Sequence, residues 1–206
     1  MRTVTVQPER LERWLDTFGA RHGPPGATFT PERVTLRAPD GAVAVIAVPF
    51  PPGSITDRAG LLGHAGRERT VAALLVRRGG VAVGVFRHRE LLAAKIETGY
   101  VQGRTKAGGW SQQRYARRRA GQAQQLWSRA ADVAARLLLP YAGELDAVAA
   151  GGDADAVRVV LADPRLAPLA PLLLPRIRPV PDPRLAVLRA FPDHFLGVEI
   201  TLNDLA

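Results

Sequence analysis

Ala107-Gly108-Gly109-Trp110-Ser111-Gln112-Gln113-Arg114-Tyr115-Ala116-Arg117-Arg118-Arg119 carries a paired-glycine turn straight into a basic helix. Downstream, Tyr115, Ala123, Leu126, Trp127, Ala130, Val133, Ala134, Leu137 and Leu138 recur at steps of three and four. That spacing gives a helix over Ser111 to Leu139 one apolar stripe for packing on a sheet, and Pro140 ends it. At ~1.5 Å per residue the helix is about 40 Å long, enough to hold its first turn away from the body. Upstream, Thr70 to Val76 and Val81 to Phe86 flank Arg77-Arg78-Gly79-Gly80, a hairpin signature, and Leu91 to Val101 reads as the next strand of the meander. Strands, then one long helix, then a strand–helix mixture predict an α/β (α+β) domain with a mixed sheet.

Charge concentrates at the same place. No acidic residue lies between Glu97 and Asp132, while Arg104, Lys106, Arg114, Arg117, Arg118, Arg119 and Arg129 do. That window supplies seven positive charges in a chain of formal net charge +9. Such a pole suits a phosphate-rich partner, because each arginine displaces counterions condensed on a nucleic-acid backbone. The basic residues are arginine except for Lys95 and Lys106. This bias, with the abundant Ala, Gly and Pro, fits a GC-rich genome equally well, so composition alone names no partner.

At 206 residues the chain is long enough for one large domain with its own core, and 47% apolar residues is ordinary for a globular protein. Without cysteine there is no disulfide framework and no thiolate metal site. The four histidines, His22, His64, His88 and His194, form no i, i+4 pair, which argues against zinc. No metal and no cofactor is expected. Met1 to Phe18 mixes charges and lacks the apolar segment of a signal peptide, and no run reaches the roughly 18 apolar residues of a membrane span. The expectation is a cytoplasmic monomer with no membrane contact.

Along the rest of the chain, Pro8 to Phe18 places Leu11, Trp14, Leu15 and Phe18 at helical spacing, with Gly19 as a stop. Arg33 to Arg37 and Ala42 to Val48 are β-rich runs around the turn Pro39-Asp40-Gly41. Pro49 to Arg67 reads as a surface loop, Val157 to Leu161 as a buried strand, and Pro164 to Pro183 as proline-rich connection. Arg184 to Ala190 reads as a short helix and Phe195 to Leu202 as a last strand. The expected organisation is a single domain over 1–206, an N-terminal helix and hairpin within 1–50 preceding a catalytic core over 69–202. Trp14 and Trp127 are core candidates on their helix stripes, and Gln122, Gln124 and Gln125 a solvated or RNA-facing side.

Gly108-Gly109 alone could be a loop in which glycine supplies positive φ. Here basic residues flank it on both sides, Ser111 is a candidate N-cap, and exposed N–H groups at a helix start bind anions. The stretch Gly103 to Arg119 closely resembles the Gly-Gly-Gln loop and following helix of eukaryotic and archaeal peptide-chain release factors. It resembles more closely still the Vms-like release factors, in their actinobacterial branch, a group of peptidyl-tRNA hydrolases. A weaker resemblance extends over most of the chain.

The resemblance implies a ribonuclease-H-like mixed sheet with one long helix following the Gly-Gly loop. It implies that the loop tip enters the peptidyl-transferase centre and cleaves the ester between nascent peptide and tRNA. The implied partners are the large ribosomal subunit, peptidyl-tRNA and ribosomal RNA. Gly108 and Gly109 match the family's glycine pair, Ser111 its serine, and Arg114 and Arg117 its arginines. At the glutamine position stands Trp110, and Gln112 and Gln113 follow it. Vms-like members also displace this glutamine, which makes Gln112 the first candidate and Gln113 the second. RNA contacts fall to Arg104, Lys106, Arg114, Arg117, Arg118 and Arg119.

Trp110 keeps its backbone N–H, which can donate to the oxygen where charge develops during ester cleavage. Its indole either packs or stacks on an RNA base. No strong general base stands in the motif, which fits a catalyst that positions and excludes water. Two alternatives stay open: an endonuclease cutting the tRNA acceptor (CCA) end, and a non-catalytic ribosome or tRNA binder. Asp153, Asp155 and Asp163 are the carboxylates that two-metal nuclease chemistry would recruit, but they sit near turns and a strand end and the strands before the basic loop hold no inward Asp, which argues against it.

Overall fold

A computed structural model describes the backbone of residues 1–98 and 111–206, with side chains throughout except at residues 111–123. It separates into two compact units, Arg69–Phe191 and Met1–Glu68 joined by Pro192–Ala206.

The Arg69–Phe191 unit is built on a mixed sheet. Strands β5 (Thr70–Arg77), β6 (Gly80–Arg87) and β7 (Glu90–Thr98) form the expected antiparallel meander. The hairpin turns at Arg78-Gly79, with Arg77 opposite Gly80. A long helix, α3 (Ser111–Leu138), returns the chain, and β8 (Ala147–Gly152) then runs parallel to β5, from Val71 opposite Ala147 to Val76 opposite Gly152. The order β7-β6-β5-β8 is the mixed α/β sheet with one long helix that the sequence predicts.

Both faces of this sheet are covered, so its strands read as unbroken apolar runs rather than alternating ones. On one face Leu74, Val76, Val83, Val85 and Val148 meet Ala130, Val133, Ala134 and Leu138 of α3 and Val157 and Val160 of α4 (Ala154–Leu161), all essentially inaccessible. On the other, Gly151 faces Leu75, Val180 and Phe191, and Gly84 faces Leu188 of α5 (Leu185–Ala190). The free edge of β8 is occupied by the proline-rich segment: Leu174 N–H donates to Val148 O at 2.8 Å and Arg178 N–H to Ala150 O at 2.9 Å.

Val157 to Leu161, expected as a strand, is the second half of α4. Asp153 caps that helix by accepting from the N–H groups of Asp155 (3.1 Å) and Ala156 (3.3 Å). Burial of Ala156, Val157 and Val160 beside exposed Arg158 and Val159 is helical spacing, which outweighs the β preference of the valines. The true strand is the preceding Ala147-Val148-Ala149-Ala150-Gly151-Gly152, whose small residues carry no β signal. They are small because a Cβ on Gly151 would meet Leu75, Val180 and Phe191 at 2.9–3.1 Å.

The other unit is a five-stranded antiparallel sheet in the order β1-β9-β4-β3-β2. Its strands are β1 (Arg2–Val6), β2 (Gly26–Phe29), β3 (Arg33–Arg37), β4 (Val43–Ala47) and β9 (Val198–Leu202). Helix α1 (Pro8–His22) buries Leu11, Leu15 and Phe18 in a core with Val34, Ile46 and Ile200. It continues past Gly19 to Gly23, whose φ of 86° ends it. Its last turn is held by a 2.7 Å contact between His22 Nδ1 and Asp40.

Two more expectations change here. The loop over 49–67 contains α2 (Arg58–Gly66), capped by Asp57 accepting from Gly60 N–H at 2.7 Å and anchored by buried Leu61 and Ala65. Packing forms this helix despite three glycines of poor helix propensity. At the C-terminus, a short helix α6 (Pro192–Leu196) precedes β9, so the last strand starts at Val198 and pairs with β1 and β4 rather than with the mixed sheet.

Candidate functional site

β7 ends at Thr98 and α3 begins at Ser111. Arg104, Lys106, Gly108, Gly109 and Trp110, and the expected strand residues past Thr98, lie outside the described residues. Ser111, Gln112, Gln113, Arg114, Arg117, Arg118 and Arg119 occupy the opening turns of α3, where the backbone is described and the side chains are not.

The geometry of α3 explains what the motif is attached to. The helix has 28 residues, about 42 Å of axis. Its far half is the anchor: Leu126, Ala130, Ala131, Val133, Ala134, Ala135 and Leu138 are buried, and Trp127 and Leu137 pack partly buried against them. Leu126 stands about 22 Å along the axis from Ser111. A second tie comes from charge. Asp132 of α3 meets Arg165 Nη2 at 2.8 Å, and the same guanidinium makes two bonds to Asp163, Nε at 2.9 Å and Nη2 at 2.8 Å. The Arg165 fork and its own N–H hold the Asp163 carboxyl down at about 2.

The helical register sorts the motif. Gln112 lies about five turns before Ala130, and Arg119 about five turns before Leu137, so both positions continue the line of the sheet-packed seam. Arg114, Arg117 and Arg118, at i, i+3 and i+4, fall on the other side, in line with Asp132 and Arg136. Gln124, Gln125 and Arg129 are exposed, extending a polar flank down the helix. The helix start adds its own field, roughly half a positive charge, to the four arginines within its first three turns.

The three carboxylates that nuclease chemistry would recruit serve local structure. Asp153 caps α4, Asp155 pairs with Arg158 at 2.8 Å, and Asp163 caps the 3-10 segment Pro164–Leu172 while holding Arg165. The sequence signal for these roles is an Asp followed by a short helical pattern, the usual cap signature. Among the described residues no helix is long and apolar enough to cross a membrane.

The model of the Actinobacteria/chloroflexi VLRF1 release factor family matches residues 69–201. Two solved structures are similar to the chain at low identity. One is the crystal structure of the archaeal translation termination factor aRF1, at 20% identity and a TM-score of 0.47, the match covering 74% of this chain and 46% of that one. The other is an archaeal protein, at 16% identity and a TM-score of 0.44, covering 78% of this chain and 52% of that one. The chain spans about half the length of each. No curated protein matches it. The family match runs unbroken from β5 through the meander, the Gly-Gly motif, α3 and β8, well over half of the 206 residues, and the chain therefore belongs to the Actinobacteria/chloroflexi VLRF1 release factor family.

Proposed function

We propose that this protein is a peptidyl-tRNA hydrolase acting on stalled large ribosomal subunits, with Gly108 to Gln113 presented to the ester between nascent peptide and tRNA. The release-factor family supports the coarser role, in termination of translation or rescue of the ribosome. What supports the finer reading is the helix that follows the motif in sequence. The far half of α3 is packed on one face of the sheet, with Asp132 paired to Arg165, and the motif precedes that helix directly in sequence. Fixing one end of a stiff rod positions the other, and positioning is the larger part of catalysis where no strong base is present.

In this reading the unit Arg69–Phe191 is the catalytic core. Backbone N–H groups of Gly108 to Trp110 donate to the oxygen on which charge develops, and the Gln112 amide orients the attacking water, with Gln113 in reserve. Proton transfer falls to the tRNA ribose and the ribosome, so no cofactor is required. Ser111 is the first residue of the helix. Arg104, Lys106, Arg114, Arg117, Arg118 and Arg119 neutralise ribosomal RNA phosphate around the tip, and Trp110 stacks on a base. The protein works as a cytoplasmic monomer.

The test is incubation with purified large subunits carrying labelled peptidyl-tRNA. Free peptide with an intact CCA end is the expected product. A shortened CCA end would replace ester hydrolysis by acceptor-end cleavage, and salt-sensitive binding with neither product would make the basic helix a docking arm.

A further inference from the structure

The Met1–Glu68 and Pro192–Ala206 unit carries a basic groove of its own. Apart from Glu9 in its first turn, helix α1 segregates its charges. Glu12 and Asp16 turn toward α2, where Arg58 Nη2 meets them at 3.9 and 2.6 Å. Arg10, Arg13, Trp14, Thr17 and Arg21 follow one another at steps of three, one, three and four, a single stripe on another side of the helix. This stripe faces β1, which is an edge strand of its sheet.

Between them runs a groove of about 630 Å³ lined by Arg10, Arg13 and Trp14 on the helix and by Thr5 and Val6 on the strand. A second, smaller cavity of about 70 Å³ shares Trp14 and Thr17 with it and is lined also by Arg2, Arg21 and Ala206, whose carbonyl accepts from Arg2 Nη2 at 3.4 Å. Arg10 and Arg13 line the larger cavity and Arg2 and Arg21 the smaller, along about 16 Å of helix axis from Arg10 to Arg21. No Asp or Glu side chain lines either cavity, among the described residues. Partly buried Trp14 stacks on Phe18 with ring centroids 5.5 Å apart and planes at 18°, and His22 lies against the far side of that pair, 4.9 Å from Phe18. The column fixes the plane of the indole that the two cavities share.

We propose that this groove binds single-stranded RNA, the guanidinium groups of Arg2, Arg10, Arg13 and Arg21 on its phosphates and the Trp14 indole against a base. A run of cations with a rigid aromatic platform at its middle is what a flexible polyanion with π-faces requires. An extended acidic peptide would use the cations and the open edge of β1 but leave the indole without a partner of its own kind. Every residue lining the groove lies outside the family match over 69–201, so this second contact stands apart from the peptide-release reading.

The experiment is photocrosslinking of the full chain to a single-stranded RNA containing 4-thiouridine, with the crosslinked peptides identified by mass spectrometry. A crosslink on the peptide bearing Trp14 is expected. The double variant Arg10→Gln/Arg13→Gln, both residues exposed, keeps the thermal unfolding of the parent, loses this crosslink, and lowers the slope of log affinity against log salt by about 1.4. Trp14→Leu weakens binding roughly 5- to 100-fold. Crosslinks confined to residues 99–123, or an unchanged salt slope in the double variant, would overturn the proposal. Protection of Arg10 and Arg13 by a polyglutamate peptide, with no RNA crosslink there, would give the groove to an acidic chain. Free RNA is the probe, so a failed peptide-release assay leaves this result untouched, and the converse holds.

Discussion

Gly152 closes β8 at a φ of 105°, and its N–H donates to Arg178 O at 2.8 Å. A Cβ built there runs into the carbonyl oxygen of Val76 on β5, with Val76 C at 2.9 Å and Arg77 Cγ at 3.0 Å. Replacing it with alanine therefore meets two costs. The positive φ is worth about 1–2 kcal/mol for a residue with a side chain. Moving Val76 away also breaks the 2.8 Å bond that its carbonyl accepts from Asp153 N–H, leaving buried groups unpaired for about 1–3 kcal/mol more. Gly152→Ala should thus lose about 2–5 kcal/mol. Gly151→Ala should lose less, because its clashes at 2.9–3.1 Å are with side-chain tips of Leu75, Val180 and Phe191 that can shift, and its φ is not in the left-handed region. Gly143→Ala meets nothing within 4 Å and should be neutral, or stabilising by up to about 1 kcal/mol. Urea denaturation of the three variants, with hydrogen exchange at β5 and β8 to locate the damage, reads the series. A Gly152→Ala variant within 1 kcal/mol of the parent, or as stable as Gly143→Ala, would refute the parallel pairing of β5 and β8.

Other consequences are smaller. Asp153→Ala removes the oxygen that accepts from Asp155 and Ala156 N–H, and should cost about 0.5–2 kcal/mol by thermal unfolding, with protection lost first in α4. Asp163, held at about 2 by Arg165 against an ordinary 3.8, contributes stability that is complete above about pH 4 and lost as pH falls through 2. The gap in melting temperature between the parent and Asp163→Asn should narrow from pH 4 to pH 2, and a gap at pH 2 as large as at pH 5 would show that the carboxylate charge is not the cause. Arg117→Gln/Arg118→Gln should weaken binding to large subunits uniformly across RNA sequences and flatten its salt dependence, measured by cosedimentation.

The strongest periodicities in the sequence were reliable guides to structure. The meander, with its Arg78-Gly79 turn, and the helix opening at Ser111 follow directly from apolar runs, glycine and three-to-four spacing. What failed was decided by neighbours far away in sequence. Ala147 to Gly152 carries no strand signal because Val180 and Phe191 leave no room for larger side chains, and the valines after it look like a strand although Asp153 starts a helix there. Helix α2 is hidden by Gly60, Gly63 and Gly66 and forms because Leu61 and Ala65 are buried. β1 pairs with β9 across nearly the whole chain, a contact no local pattern encodes. At the candidate site the resemblance of Gly103 to Arg119 was legible because such motifs live in chemistry rather than in packing. The acceptor roles of Asp153 and Asp163 depend on partners that a reading of turns alone does not name.

The most direct trial of the account is the single-turnover rate of peptide release from large subunits by the parent chain, Gln112→Ala and Gly109→Ala. The account predicts rapid release by the parent and a fall of about 100-fold or more in each variant, at unchanged stability. Release at the parental rate by both variants would contradict it.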